Sequence, residues 1–234
     1  MASEQQAEGT AAPDKVRVLI VDDHPVVREG LARRIDRQPD LEVCGEAESA
    51  HEALAAIASR KAGFVIVDLA LKESSGLELI KDIRIRYPEL PILVLSMQDE
   101  SVYAERALLA GARGYIMKHE ATENVIVAIR QVLRGRLYLS DRMSSRLLDT
   151  LFAAKGQPGM SSVDLLTDRE LEVFDFLGQG LATRQIAERL HLSIKTIEAY
   201  REHIKQKLKL ANATELVRRA VLWVQSRSGG PDSP

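Results

Sequence analysis

Three carboxylates and two complementary groups stand at the ends of short apolar runs. Asp68 closes Phe64-Val65-Ile66-Val67, and Asp22 and Asp23 follow Val16 to Val21. Runs this short and this rich in Val and Ile read as strands buried on both faces, as in a parallel sheet. Their last residues then lie at the carboxyl edge, where open α/β sheets bind ligands. Ser96 ends a fourth apolar run and Lys118 follows a fifth, adding a hydroxyl and a cation to that edge. Three carboxylates suit a hard divalent cation such as Mg2+, which keeps several waters and recruits phosphate oxygens. The set fits a carboxylate nucleophile that accepts a phosphoryl group, with Mg2+ and Lys118 neutralising the oxygens while Asp68 attacks in line. Each residue alone also reads as a strand-end cap or an ordinary loop residue. Their convergence on one edge separates the two readings.

The elements that must position this set alternate. From residue 16, strands at Val16–Val21, Leu41–Ala47, Phe64–Val67, Ile92–Ser96 and Gly114–Met117 are each followed by a helical pattern: 25–38, 51–60, 76–87, 101–110 and 121–134. Pro25 falls in a first helical turn, Ser49 is an N-cap, and Gly111 and Gly135 end helices. Five βα units in about 120 residues predict an α/β fold with a doubly wound, five-stranded parallel sheet.

The rest of the chain changes character. Met143, Leu147, Leu148, Leu151 and Phe152 form one helical face over 140–154, followed by a Gly-Gln-Pro-Gly breaker at 156–159. From Leu165 the pattern is all-helical, with helices expected over 168–177, 183–190, 193–208 and 213–225. The expected organisation is a disordered tail (1–14), an α/β domain (15–134), a linker with one helix (135–162), a small all-α domain (163–225) and a second disordered tail (226–234).

Composition bounds the function. The chain has 234 residues, 45% of them hydrophobic, with a formal net charge of −2. No apolar run approaches the ~20 residues of a membrane span, so no membrane partner is expected. The amino terminus lacks the regions of a secretory signal. A single cysteine, Cys44, sits in an apolar-alternating stretch, which predicts a core residue and fits a reducing cytoplasm. Residues 181–209 carry seven Lys+Arg and three Glu, so basic charge gathers near the carboxyl end. None of His24, His51, His119, His191 and His203 has a metal-ligand spacing, and no zinc site is expected.

Residues 16–134 resemble the receiver domain of a two-component response regulator. Asp22 and Asp23 match the acidic pair, Asp68 the phosphoacceptor, Ser96 the switch hydroxyl, Tyr115 the switch aromatic and Lys118 the family's lysine. The resemblance implies a sensor histidine kinase as phosphoryl donor and a requirement for Mg2+. One departure is Ala70-Leu71, where the family often has Met-Pro. Ala70 and Gln98 occupy the positions that tune phosphate lifetime in receivers, and Ala70 offers no hydrogen bond, so slow loss of phosphate is expected. Phosphate on Asp68 would draw Ser96 inward and let Tyr115 follow. The expected readout face comprises 101–110, 114–117 and 121–134.

In the all-α region, Ile186, Ala187, Leu190, Ile194, Ile197, Ile204 and Leu208 are placed to pack on Leu171, Val173, Phe174 and Leu177. Two helices joined at His191-Leu192 read as a helix-turn-helix, whose second helix enters the major groove, with a generic helical hairpin as the alternative that periodicity does not dismiss. The details Leu166-Thr167-Asp168-Arg169-Glu170, Gly180, Leu192-Ser193 and Lys195-Thr196-Ile197 resemble the LuxR/NarL-type DNA-binding domain of the NarL/FixJ response regulators. Thr167 with Glu170 also forms a capping box, and Ser193 caps the second helix.

By face, Thr183, Arg184, Gln185, Lys195, Thr196, Tyr200, Arg201 and Lys205 suit phosphates. Glu198, Ala199 and Glu202 stand where the family points side chains at base edges, with an intrahelical ion-pairing role as the alternative for the glutamates. Helix 213–225, with Leu216, Val217, Ala220 and Trp223, is the expected dimer contact. The whole reads as a cytoplasmic, DNA-binding transcription regulator, not an enzyme, that binds double-stranded promoter DNA as a homodimer formed on phosphorylation or on DNA. An aspartyl-phosphate phosphohydrolase and a phosphorylation-independent DNA binder are the rival readings.

Overall fold

The computed structural model describes residues 15–71, 75–153 and 162–228. The expected tail 1–14, the breaker 156–159 and residues 229–234 lie outside the described residues. The first region runs β1 (Val16–Val21), α1 (Pro25–Ile35), β2 (Leu41–Ala47), α2 (Ala50–Arg60), β3 (Phe64–Val67), α3 (Gly76–Arg86), β4 (Ile92–Ser96), α4 (Glu100–Ala110), β5 (Gly114–Met117) and α5 (Ala121–Leu133). All neighbouring strands are parallel, in the order β2-β1-β3-β4-β5. Helix α1 stops three residues short of the expected Gln38, because the Asp36 carboxylate turns to accept the Val43 amide.

Alternate strand residues feed two apolar layers. Val18, Ile20, Phe64, Ile66, Leu93 and Leu95 pack under α1 and α5, while Leu19, Val21, Val65, Val67 and Val94 face α2, α3 and α4. This period-2 division is what a sheet covered on both sides requires. Cys44 is a buried free thiol.

The second region contains α6 (Asp141–Ala153), a short 3-10 turn at Ser162–Leu165, α7 (Asp168–Gly178), α8 (Thr183–Arg189), α9 (Ile194–Lys207) and α10 (Ala213–Ser228). Thr167 and Glu170 make the reciprocal capping box at the head of α7, and Ser193 Oγ accepts the Thr196 amide at the head of α9. Gly178 lets α7 and α10 cross closely, since a Cβ there would lie 2.5 Å from the Ala220 carbonyl. Ile194 is a correction: it is about half exposed, being the first residue of α9 and one turn short of the packed stripe. In α10, Leu216 and Ala220 are fully buried, and Trp223 packs on Phe174 at 5.3 Å. These residues build the domain's own core instead of an open dimer face. Val217 and Leu222 are the apolar residues that α10 leaves outside. The helix also runs past the expected boundary at 225, because Arg227 lies over Trp223 and pairs with Asp175.

The two regions touch. Asp168 is held by Lys81 of α3 at 2.8 Å and Arg106 of α4 at 3.0 Å, and Arg106 also donates to the Leu166 carbonyl. The core layer of α2, α3 and α4 is continuous with that of α7 to α10. Helix α6 lies on α4 through Ser140 and Glu100, buried Met143, and Arg146 donating to the Ser101 carbonyl.

Candidate functional site

Register sets the site. Val21 pairs with Val67, so the residues that follow them, Asp22 and Asp68, come level where the strand order reverses. Ser96 pairs with Met117, and the Lys118 amide donates to the Ser96 carbonyl. The tight return from β3 holds Asp68 in place: Gly76 donates its N–H to the Leu69 carbonyl, and a Cβ there would fall 2.2 Å from the Asp68 carbonyl.

Lys118 Nζ lies 2.7 Å from Asp22 Oδ2 and 2.6 Å from Asp68 Oδ2. Both carboxylates are buried. Burial pushes the Asp68 carboxyl up to about 6, against the pull of Lys118. Burial also draws Lys118 down, but Asp68 and Asp22 outweigh it and hold the ammonium above its ordinary value. Asp68 Oδ1 is buried without a hydrogen-bond partner among the described residues. An uncompensated buried carboxylate oxygen is costly unless a cation or donor meets it.

Asp22, Asp23, His24 and Asp68 each offer one ligand atom within 4.8 Å of the others, so the cluster can hold a metal ion. His24, which has no metal-ligand spacing in the sequence, joins this cluster. Its Nδ1 lies 2.6 Å from Asp23 Oδ1 and 3.2 Å from Asp22 Oδ1. Spacing rules for one helix do not see it, because the loop after β1 brings it to the edge. Arg28 is a second residue that motif reading missed. It donates to the Asp22 carbonyl and to Glu46 and Glu48, tying the β1–α1 loop to β2. The turn between α8 and α9 reaches the same edge, with His191 Nε2 3.4 Å from Asp23 Oδ2.

Around the switch, Ser96 is fully buried and its Oγ accepts the Gln98 amide. The Tyr115 ring is buried, with the hydroxyl donating to the Gln98 carbonyl at 2.8 Å. The ring is packed inside by the α4 layer, where Tyr103 is also buried. Helix α6 packs on the α4 part of the expected readout face and Arg106 pairs there with Asp168 of α7, while Leu109 of α4 stays exposed.

On the helix-turn-helix, Arg184, Lys195, Glu198, Ala199 and Glu202 are exposed, so the docked receiver leaves that face open. Several of these side chains have partners. Arg201 donates to Thr183, Gln185 Oε1 accepts the Ala182 amide, Arg184 pairs with Glu188, and Thr196 Oγ1 meets Ser193 Oγ. Glu202 pairs with Lys205 at 2.6 Å, which holds its carboxyl below the usual range. Tyr200 is half-buried against the core.

A parallel sheet with an acidic carboxyl edge, joined to a helix-turn-helix, defines the class of a response regulator. Residues 18–130 match the response regulator receiver domain, and residues 164–220 match the bacterial regulatory proteins of the luxR family. The oxygen regulatory protein NreC of Staphylococcus carnosus is 36% identical over 210 residues, covering 88% of this chain and 97% of that protein. RcsB of Salmonella typhimurium superposes with a TM-score of 0.62 at 26% identity over 89% of this chain and 98% of that one. Another RcsB structure, bound to promoter DNA with a phosphomimetic, is 27% identical with a TM-score of 0.58 over 88% of this chain and 98% of that one. The chain belongs to the NarL/FixJ family of DNA-binding response regulators. Among the described residues no helix is long and apolar enough to cross a membrane.

Proposed function

We propose that Asp68 accepts a phosphoryl group from a sensor histidine kinase, with Mg2+ at Asp22, Asp23 and Asp68, and that this controls promoter binding in the cytoplasm. The observation that carries the reading is the buried Asp22–Lys118–Asp68 triad with Asp68 Oδ1 left free. An Asp68 oxygen attacks phosphorus in line, the bond from phosphorus to the kinase imidazole breaks, and the imidazole leaves with its electron pair. When bound, Mg2+ supplies charge neutralisation for the transferring oxygens. Lys118 is placed to stabilise the acyl phosphate, and buried Ser96 to donate its hydroxyl to a phosphoryl oxygen.

On the DNA side, the exposed faces of α8 and α9 support phosphate contacts by Thr183, Arg184, Gln185, Lys195, Thr196, Tyr200, Arg201 and Lys205. Glu198, Ala199 and Glu202 stand outward for the base edges, Glu202 after leaving Lys205. A homodimer would present two such helices to paired half-sites. Incubating the full chain with a small phosphodonor and Mg2+ tests the reading. Mass spectrometry should find one acid-stable, base-labile phosphoryl group on wild type and none on Asp68→Asn; label on the variant would refute it.

A further inference from the structure

Helix α7 has two stripes. Leu171, Val173, Phe174 and Leu177 enter the core of their own domain, whereas Asp168, Glu172 and Asp175 recur at helical spacing on the side toward the receiver. Such a polar stripe would ordinarily face water. Here Glu172 is fully buried, and Asp175 nearly so.

The surroundings of Glu172 come from both domains. On its own helix, Arg169 donates to Glu172 Oε2 at 2.7 Å, and Asp168 and Asp175 lie one turn to either side. Asp168 is neutralised by Lys81 and Arg106, and Asp175 by Arg227 of α10. The receiver contributes Gln98, whose side chain lies beside the Glu172 carboxyl, with Tyr103 nearby and Asp99 acting on Asp175. Six polar atoms of this joint are buried without a partner among the described residues: Glu172 Oε1, Gln98 Oε1, Tyr103 Oη, Arg169 Nη2, and Nε and Nη1 of Arg227. Two of these are acceptors, one on each side of the domain boundary. A half-satisfied buried ion pair is a weak source of stability, and a proton on the acid is a donor the site can use.

We propose that the joint is a proton-operated latch: docking of the DNA-binding domain on the receiver takes up one proton at Glu172, so acidification holds the domains together and rising pH frees them. This goes beyond the phosphorylation reading and does not depend on it, because the latch acts on the unphosphorylated chain. Burial raises the Glu172 carboxyl to about 7 in the docked form, against the pull of Arg169. In the open form it faces water and returns toward about 4.5. The direction follows from linkage. Below the open value both forms hold the proton and pH has no effect. Between the two values the docked:open ratio falls up to tenfold per pH unit, and above about 7 it levels off. Asp175, also raised by burial, pushes in the same direction, so a substitution at Glu172 isolates its share.

The test is the interdomain distance in the unphosphorylated full chain, read with a fluorophore pair and by small-angle scattering from about pH 5 to about pH 8. Wild type should open as pH rises, with the docked:open ratio falling roughly 100-fold or more over that range. Glu172→Gln, which keeps the shape and always carries donors, should shift less than about threefold, the remainder coming from Asp175. An unchanged wild-type distance, or the same profile in the variant, overturns the proposal. If Glu172→Gln does not fold, the infrared spectrum of wild type decides. A buried carboxylic-acid band that titrates near neutrality is expected, and its absence overturns the proposal.

Discussion

The backbone carbonyl of Gln98 accepts the Tyr115 hydroxyl at 2.8 Å, while the side chain of the same glutamine meets Glu172 across the domain boundary. Gln98 thus joins Tyr115 to α7, the first helix of the DNA-binding domain. Ser96 Oγ accepts the backbone N–H of the same Gln98, so the hydroxyl is tied to this loop as well.

Gln98→Ala keeps the backbone contact to Tyr115 and removes the amide at Glu172. The expected result is a loss of about 1 to 2 kcal/mol in docking, seen as a larger radius of gyration at unchanged melting of each domain. An unchanged radius would show that Gln98 carries no coupling.

His191 approaches Asp23 from the helix-turn-helix, so the docked DNA-binding domain stands over the acidic edge. His191→Ala should raise the rate of phosphorylation by a small donor about two- to tenfold, corresponding to about 0.4–1.4 kcal/mol less obstruction. The measurement is the time course of phosphoprotein formation. A rate at or below wild type would mean that the turn does not limit access.

Arg28 positions Asp22 through its carbonyl, and burial, which opposes its charge, is outweighed by Glu46 and Glu48. Arg28→Ala leaves those groups with fewer partners and should lower the unfolding free energy by about 2 kcal/mol. It should also weaken Mg2+ binding severalfold, measured by calorimetry. Arg28→Lys, a point charge without the guanidinium fork, should recover only part of either loss.

Glu170 closes the α7 capping box and pairs with Lys207 at 2.6 Å. Burial opposes its charge, but Lys207 and the Thr167 N–H win and hold the carboxyl below its ordinary value. Its stabilisation is therefore fully present above the unfolded value near 4.5 and is lost as pH falls through the lower folded value. Glu170→Gln should cost about 1–2 kcal/mol at pH 7. The difference from wild type should shrink below about pH 4 in denaturant titrations.

The acidic edge was readable from the chain because strand ends are local signals. Asp22, Asp68, Ser96 and Lys118 each end an apolar run, and the alternation of strands and helices brings them together. The caps at Thr167 and Ser193 were local in the same way. His24 and His191 were not, since one reaches the site along a loop and the other from a separate domain. Glu172 was hidden for a related reason: an acid on the polar side of a helix reads as solvated until a second domain covers it. Trp223 illustrates the opposite limit. Periodicity marks an apolar face without saying whether the domain's own core or a second chain occupies it.

The most direct test of the central claim is occupancy of genomic DNA by the full chain, footprinted with and without a small phosphodonor and Mg2+, for wild type and Asp68→Asn. Wild type should protect paired half-sites more strongly when phosphorylated, and Asp68→Asn should show no response to the donor. Equal occupancy of wild type with and without phosphodonor, or a donor response that survives in Asp68→Asn, would contradict the account.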